Sequence, residues 1–112
     1  MKTRSAKNKG RLLQIWLRDA LLTDTTLQLG DIRSTTMGDR GEDVQLSPEA
    51  RKIYPFQFEC KSKASYSVYK DYKQACSHGE HTPILIIKQN QSKPLAVVDG
   101  EWFINYIKEH GK

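Results

Sequence analysis

Three ionisable side chains are spaced so that strand alternation can bring them together. In Phe56-Gln57-Phe58-Glu59-Cys60-Lys61 the strict alternation predicts an extended strand that sends Phe56, Phe58 and Cys60 to one side and Gln57, Glu59 and Lys61 to the other. Upstream, Glu42 to Leu46 reads as a short strand. Val44 and Leu46 must face the core there, which points Asp43 and Gln45 the opposite way. Pairing of the two strands would set Asp43 beside Glu59 and Lys61. Two converging carboxylates repel unless a cation lies between them, and hard oxygen donors favour Mg²⁺ or Mn²⁺. Hydrolysis of a phosphodiester needs an activated water, stabilisation of charge on the phosphate and help for the leaving oxygen, which a divalent metal and a lysine can supply. Lys61 would orient or deprotonate that water.

From spacing alone, the same residues read first as an Asp, a Glu and a Lys on a solvent-facing side of a sheet, joined in weak surface ion pairs. A family pattern changes that reading. Asp43, fifteen intervening residues and then Glu59-Cys60-Lys61 resembles the signature of the PD-(D/E)XK nucleases, an Asp on one strand followed by Glu-x-Lys on the next. The likeness runs from about Lys9 to Val98 and looks closest to small phage-type endonucleases grouped with Holliday-junction resolvases. It implies a restriction-endonuclease-like αβββαβ core with flanking helices, of the α/β class with a mixed sheet. It also implies metal ligation by Asp43, Glu59 and the Cys60 main-chain carbonyl, and cleavage of DNA.

In such proteins a glycine-containing loop precedes the Asp, as Gly38-Asp39-Arg40-Gly41 does here, and the helix after Glu-x-Lys contributes a glutamine, for which Gln74 is the match. Two positions depart from the pattern. Glu42 stands where the family has proline, so either acid could bind metal, although strand parity favours Asp43. The first helix carries Gln14 where relatives often have an acid, with Asp19 at the margin. A binding module that kept the nuclease-like fold for DNA or protein recognition is the alternative these departures leave open.

The elements that must position these residues follow from periodicity. Residues 1 to 10 are polar and basic and read as a flexible arm, with residues 11 to 112 forming one domain. Arg11 to Leu22 predicts a helix with Leu12, Leu13, Trp16, Leu17 and Ala20 on its apolar face, and Arg11, Gln14 and Arg18 on the polar one. Gly30 to Gly41 reads as a loop. Ser47-Pro48-Glu49 predicts a short helix with serine as cap and proline at its first position. Ser65 to Ser77 predicts a helix burying Val68, Tyr69, Tyr72, Ala75 and Cys76. Thr82 to Lys88 and Leu95 to Val98 read as strands joined in a hairpin through Gln89 to Pro94. A last helix starts near Asp99 and should bury Trp102, Phe103, Tyr106 and Ile107.

The net charge of +5 is local in origin. Lys2, Arg4, Lys7, Lys9, Arg11 and Arg18 occur without one acid, which leaves twelve bases against thirteen acids in the rest of the chain. That concentration nominates a polyanion partner. Lys7, Lys9, Arg11, Gln14, Arg18, Arg33, Ser34, Arg40 and Lys63 are the expected DNA contacts. No apparatus for reading base sequence is visible, so DNA shape is the expected target. Cutting both strands of a junction takes two sites, which by family analogy implies a homodimer.

No run approaches the roughly 20 apolar residues of a membrane span, and the expectation is a cytoplasmic protein, in the host cytoplasm if phage-encoded. Two cysteines are too few for a disulfide framework. Cys76, His78 and His81 lack the paired spacing and fourth ligand of a zinc site. No Lys-Ser or Lys-Thr ends a glycine loop, which excludes a nucleotide-binding P-loop.

Overall fold

The computed structural model describes residues 2–35, 43–62 and 67–111, with side chains from residue 8 onward. Strand β3, Phe56–Ser62, is the organising element. It pairs antiparallel with β2, Val44–Leu46, through the register Val44↔Phe58, and parallel with β4, Thr82–Lys88, from Phe56↔Thr82 to Ser62↔Lys88. Strand β1, Ile32–Ser34, extends the sheet beyond β2, and β5, Leu95–Val97, extends it beyond β4, both antiparallel. The described residues thus form a mixed α+β fold, a five-stranded mixed sheet in the order β1-β2-β3-β4-β5 with four α-helices. Gly30 to Gly41, read as a loop, opens with a 3₁₀ turn at Leu29–Asp31 and then β1. Three residues, only one of them turned to the core, are too short a run for an alternation to register.

Because β3 and β4 are interior strands, helices cover both faces. Helix α1, Lys2–Leu22, packs on β1 and β3, while α3, Val68–Cys76, joins β3 to β4 in the parallel crossover and packs on both. The core lies under α1, where Leu13 and Leu17 meet Ile32, Val44, Phe58, Cys60 and Ile86. Each such large side chain contributes about 1.5–3 kcal/mol on burial. Helix α2, Pro48–Ile53, is capped as its sequence predicts, with Ser47 Oγ accepting from the Ala50 N–H at 3.1 Å.

Three helices depart from their predicted faces. Helix α1 is helical from Lys2, where the sequence suggests an arm, because lysine, arginine and alanine are good helix formers and periodicity reports burial, not helix extent. It is also rotated: Leu13, Gln14 and Leu17 face inward, leaving Leu12 and Trp16 exposed. In α3 the buried residues are Asp71 and Ala75, and Tyr69, expected in the core, is 86% exposed. Helix α4, Gly100–His110, begins at the expected cap, with Asp99 Oδ1 accepting from the Trp102 N–H at 2.8 Å. Only Trp102 turns onto the body, its ring edge-on to Phe56 at 5.8 Å, while Phe103, Tyr106 and Ile107 stay exposed. Amphipathic spacing specifies a face and not what covers it. No helix among the described residues is long and apolar enough to cross a membrane.

Candidate active site

The register Val44↔Phe58 fixes the parity of the trio. Val44 and Phe58 share the α1 face, so Asp43, one residue before β2, lies opposite Glu59 on the α3 face. The Asp43 N–H donates to the Phe58 carbonyl at 3.2 Å, and beyond that point the side chain takes over the ladder, with Asp43 Oδ2 accepting from the Cys60 N–H at 2.7 Å. The N–H and C=O of one strand residue point the same way, so the Cys60 carbonyl is directed toward the same edge. Asp43, Glu59 and Lys61 therefore meet as the alternation predicts. Their setting does not match a solvated sheet face, since Glu59 is only 2% exposed.

Burial and proximity set the electrostatics. The two carboxyl groups are in hydrogen-bond reach of each other. Loss of hydration raises the Asp43 pKa above the ordinary carboxylate value, against the opposing pull of the Cys60 N–H and the Lys61 charge. Glu59 is raised first by burial and then by the Asp43 charge, with Lys61 and His78 pulling the other way. Lys61 Nζ stands 3.3 Å from Glu59 Oε2, and His78 Nε2 stands 2.8 Å from Oε1. The histidine contact is one of charge and proximity, off the line of a hydrogen bond. Glu59 is thus held at one oxygen by the Lys61 ammonium and approached at the other by the His78 ring. The Cys60 thiol is held in its protonated form by burial and by both carboxylates, as an inert core group on the opposite face.

Two buried amides build the scaffold around this pair. Gln57, 2% exposed, donates from Nε2 to the Ala75 carbonyl at 2.9 Å and the Gly79 carbonyl at 3.3 Å, and accepts from the His81 N–H at 3.0 Å. It therefore pins the turn after α3 that carries His78. A Cβ on Gly79 would lie 2.7 Å from Gln57 Oε1, so any side chain there would have to displace the Gln57 amide from its bonds. Gln14, expected at the surface to meet DNA, is 4% exposed and lies between α1 and the sheet. With its amide nitrogen turned inward, the orientation its acceptor surroundings demand, it donates to Ser34 Oγ at 2.6 Å and to the Thr35 and Asp43 carbonyls at 3.2 Å. It is a positioning residue for Asp43.

The remaining predicted residues divide. Arg11, Arg18, Arg33 and Ser34 line one cleft of about 690 Å³ between α1 and β1, where Arg18 also pairs with Asp19 at 2.9 Å. Arg33 borders a second cleft of about 490 Å³ together with Gln45, Arg51 and His78, the last of which contacts Glu59. Lys9 stands apart, against the β4–β5 turn. Gln74 is exposed on α3, and no bond joins its side chain to the carboxylates among the described residues. Glu42, Arg40 and Lys63 lie outside the described residues, as does the side chain of Lys7.

His78, Arg51 and Gln57 are the site residues that sequence reasoning misses. The available signal was positional: a His-Gly pair directly after the crossover helix returns to the face that Glu59 occupies.

The donor set suits a hard divalent cation, with two carboxylates and a main-chain carbonyl, all oxygen. Among the described residues no ready-made group of three His, Cys, Asp or Glu side chains is present, so water and substrate oxygens would complete the coordination, as Mg²⁺ commonly requires. Comparison with protein-family models, curated proteins and solved structures returns no match for this chain.

Proposed function

We propose that the protein is a metal-dependent DNA endonuclease with a restriction-endonuclease-like core, similar to the PD-(D/E)XK enzymes. The observation that carries this reading is the buried Glu59 with the half-buried Asp43 in hydrogen-bond reach of it, the pair flanked by Lys61. Two carboxylates pushed together out of water are costly unless a proton or a cation sits between them, and a structural role would be met better by neutral side chains. The element order α1-β1-β2-β3-α3-β4, with α2 inserted before β3, supports the core assignment.

Asp43, Glu59 and the Cys60 carbonyl would hold Mg²⁺ or Mn²⁺, which when bound supplies an acidified water and charge neutralisation at the phosphate. The chain's own residues do the rest. Lys61, 24% exposed at its side chain, orients the attacking water and balances charge. Arg33, Arg51 and His78 present positive or hydrogen-bonding groups to a backbone phosphate in the cleft beside the acids. Arg11 and Arg18 extend that contact along α1. Gln14 and Gln57 keep Asp43 and His78 in place. A homodimer would provide two such centres for a branched substrate.

The test is cleavage of plasmid, of a four-way junction and of linear duplex of equal length, with Mg²⁺, Mn²⁺ or chelator. Metal-dependent cutting by the wild type, absent in Glu59→Ala, supports the proposal. Wild-type protein no more active than that variant, yet binding DNA equally in chelator, makes the protein a binding module instead.

A further inference from the structure

On the α1 face, opposite the carboxylates, lies a groove of about 840 Å³ between α1 and the β4–β5 turn. Its floor is apolar, formed by Leu12 and Trp16 on successive turns of α1 and by Pro94, and its rim carries Lys9, Lys88 and Lys93. Trp16 is 47% exposed, a large area of indole left in water. No acidic side chain lines the groove among the described residues. The walls are fixed in advance. Lys9 Nζ donates to Asn90 Oδ1 at 2.9 Å across the groove, and the turn is closed by the Ser92 N–H on the Gln89 carbonyl at 3.1 Å, with Gln91 at a φ of 60°. Because Asn90 is neutral, the bond holds the lysine without cancelling its charge.

The chemistry of floor and rim together selects the occupant. An apolar protein surface laid over Trp16 would strip water from three ammonium groups and pair none of them. An acidic peptide would answer the rim and offer nothing to the indole. A chain that alternates flat aromatic groups with phosphates answers both, and in duplex form its bases are already stacked on one another. We propose that this groove binds single-stranded nucleic acid, stacking an unpaired base on Trp16 while Lys9, Lys88 and Lys93 contact the flanking phosphates. Ser62 and Lys88, the last residues of β3 and β4, reach the groove, so it opens at the end of the sheet where Lys61 stands on the other face. The binding site rests on its own geometry. Its use, to favour DNA with an unpaired segment near the cutting centre, rests on the nuclease reading.

The experiment is a fluorescence titration of the full chain in chelator, so that no cleavage can occur and failure of the nuclease reading leaves the result intact. In a Trp102→Phe background Trp16 reports alone. A short oligothymidylate is expected to quench it saturably, and duplex of the same length to bind more weakly. Read by the anisotropy of a dye-labelled oligothymidylate, because these variants lack the Trp16 reporter, Trp16→Ala should weaken binding about tenfold, the loss expected for one base-to-ring stack, and Trp16→Tyr should restore most of it. Replacing Lys88 and Lys93 by Gln should flatten the log–log salt slope by about 0.7 for each phosphate no longer neutralised. An indole that the oligonucleotide leaves unquenched overturns the proposal, as does quenching only by anionic vesicles or by an acidic peptide. Equal affinity of Trp16→Ala and wild type overturns it too.

Discussion

The two faces of β3 are equally buried and do opposite things. Toward α1, Phe58 and Cys60 meet Leu13, Leu17 and Val44 in an apolar cluster. Toward α3, Gln57 and Glu59 are each 2% exposed and are held by hydrogen bonds and charge. Water is excluded on both sides, so burial alone does not distinguish a core from a site. What distinguishes them is whether the buried groups would be more stable as something else. Phe58 would not be, whereas the site of Glu59 beside Asp43 would be more stable filled by a neutral side chain, which marks it as a candidate functional position.

That contrast predicts a division of mutational effects. Phe58→Ala removes a ring from the packed face and should cost about 3–5 kcal/mol of unfolding free energy, read as a lowered denaturant midpoint. Residual cleavage by the fraction still folded should be near normal per folded molecule. Glu59→Gln on the other face should lower metal-dependent cleavage a hundredfold or more, roughly 2.7 kcal/mol of transition-state stabilisation, with unfolding stability unchanged or raised. If the second variant unfolds while the first stays folded and inactive, the two faces have been assigned the wrong way round.

A middle case sharpens the comparison. Gln57 lies on the site face yet works as scaffold, bonding Ala75, Gly79 and His81. Gln57→Leu keeps the volume and orphans those partners, at a cost of about 1–3 kcal/mol. Gly79→Ala pushes on the same amide from outside, so the two changes should be less than additive in a double-mutant cycle. Strict additivity in denaturation would mean that Gln57 does not hold the turn bearing His78.

The difference between the faces was only partly visible in the sequence. Alternation in Phe56 to Lys61 located the strand, and Val44 with Leu46 gave Asp43 its parity, because a period of two is a local property. The Ser47-Pro48 cap and the β4–β5 hairpin were legible for the same reason. Whether Glu59 faced water depended on α3 crossing over it, and the role of His78 depended on Gln57, twenty-one positions earlier, pinning its turn. Such relations are made by topology, and no window of the sequence contains them. The rotation of α1 was hidden in another way. Gln14 is polar and buried while Trp16 is apolar and exposed, so the hydrophobic pattern pointed about one residue away from the true inner face.

The smallest predicted effect is a change of slope. Asp43 and Glu59 both have pKa values raised in the folded chain, chiefly by burial and, for Glu59, by the neighbouring Asp43 charge. A carboxyl whose folded pKa exceeds its unfolded one binds protons more tightly when folded. Its stabilising contribution is complete below the unfolded value and is lost as pH rises through the folded value. In chelator, wild-type stability should therefore decline relative to Glu59→Gln as pH climbs out of the ordinary carboxylate range, and the two should converge in acid. Saturating Mg²⁺ should reverse the decline in the wild type and leave the variant nearly unmoved, because a ligand stabilises only the state that binds it. Denaturation curves at a series of pH values, with and without the metal, measure both. A wild type that gained on the variant with rising pH in chelator would mean that Lys61 and His78 already satisfy the pair, and that no cation is needed between residues 43 and 59.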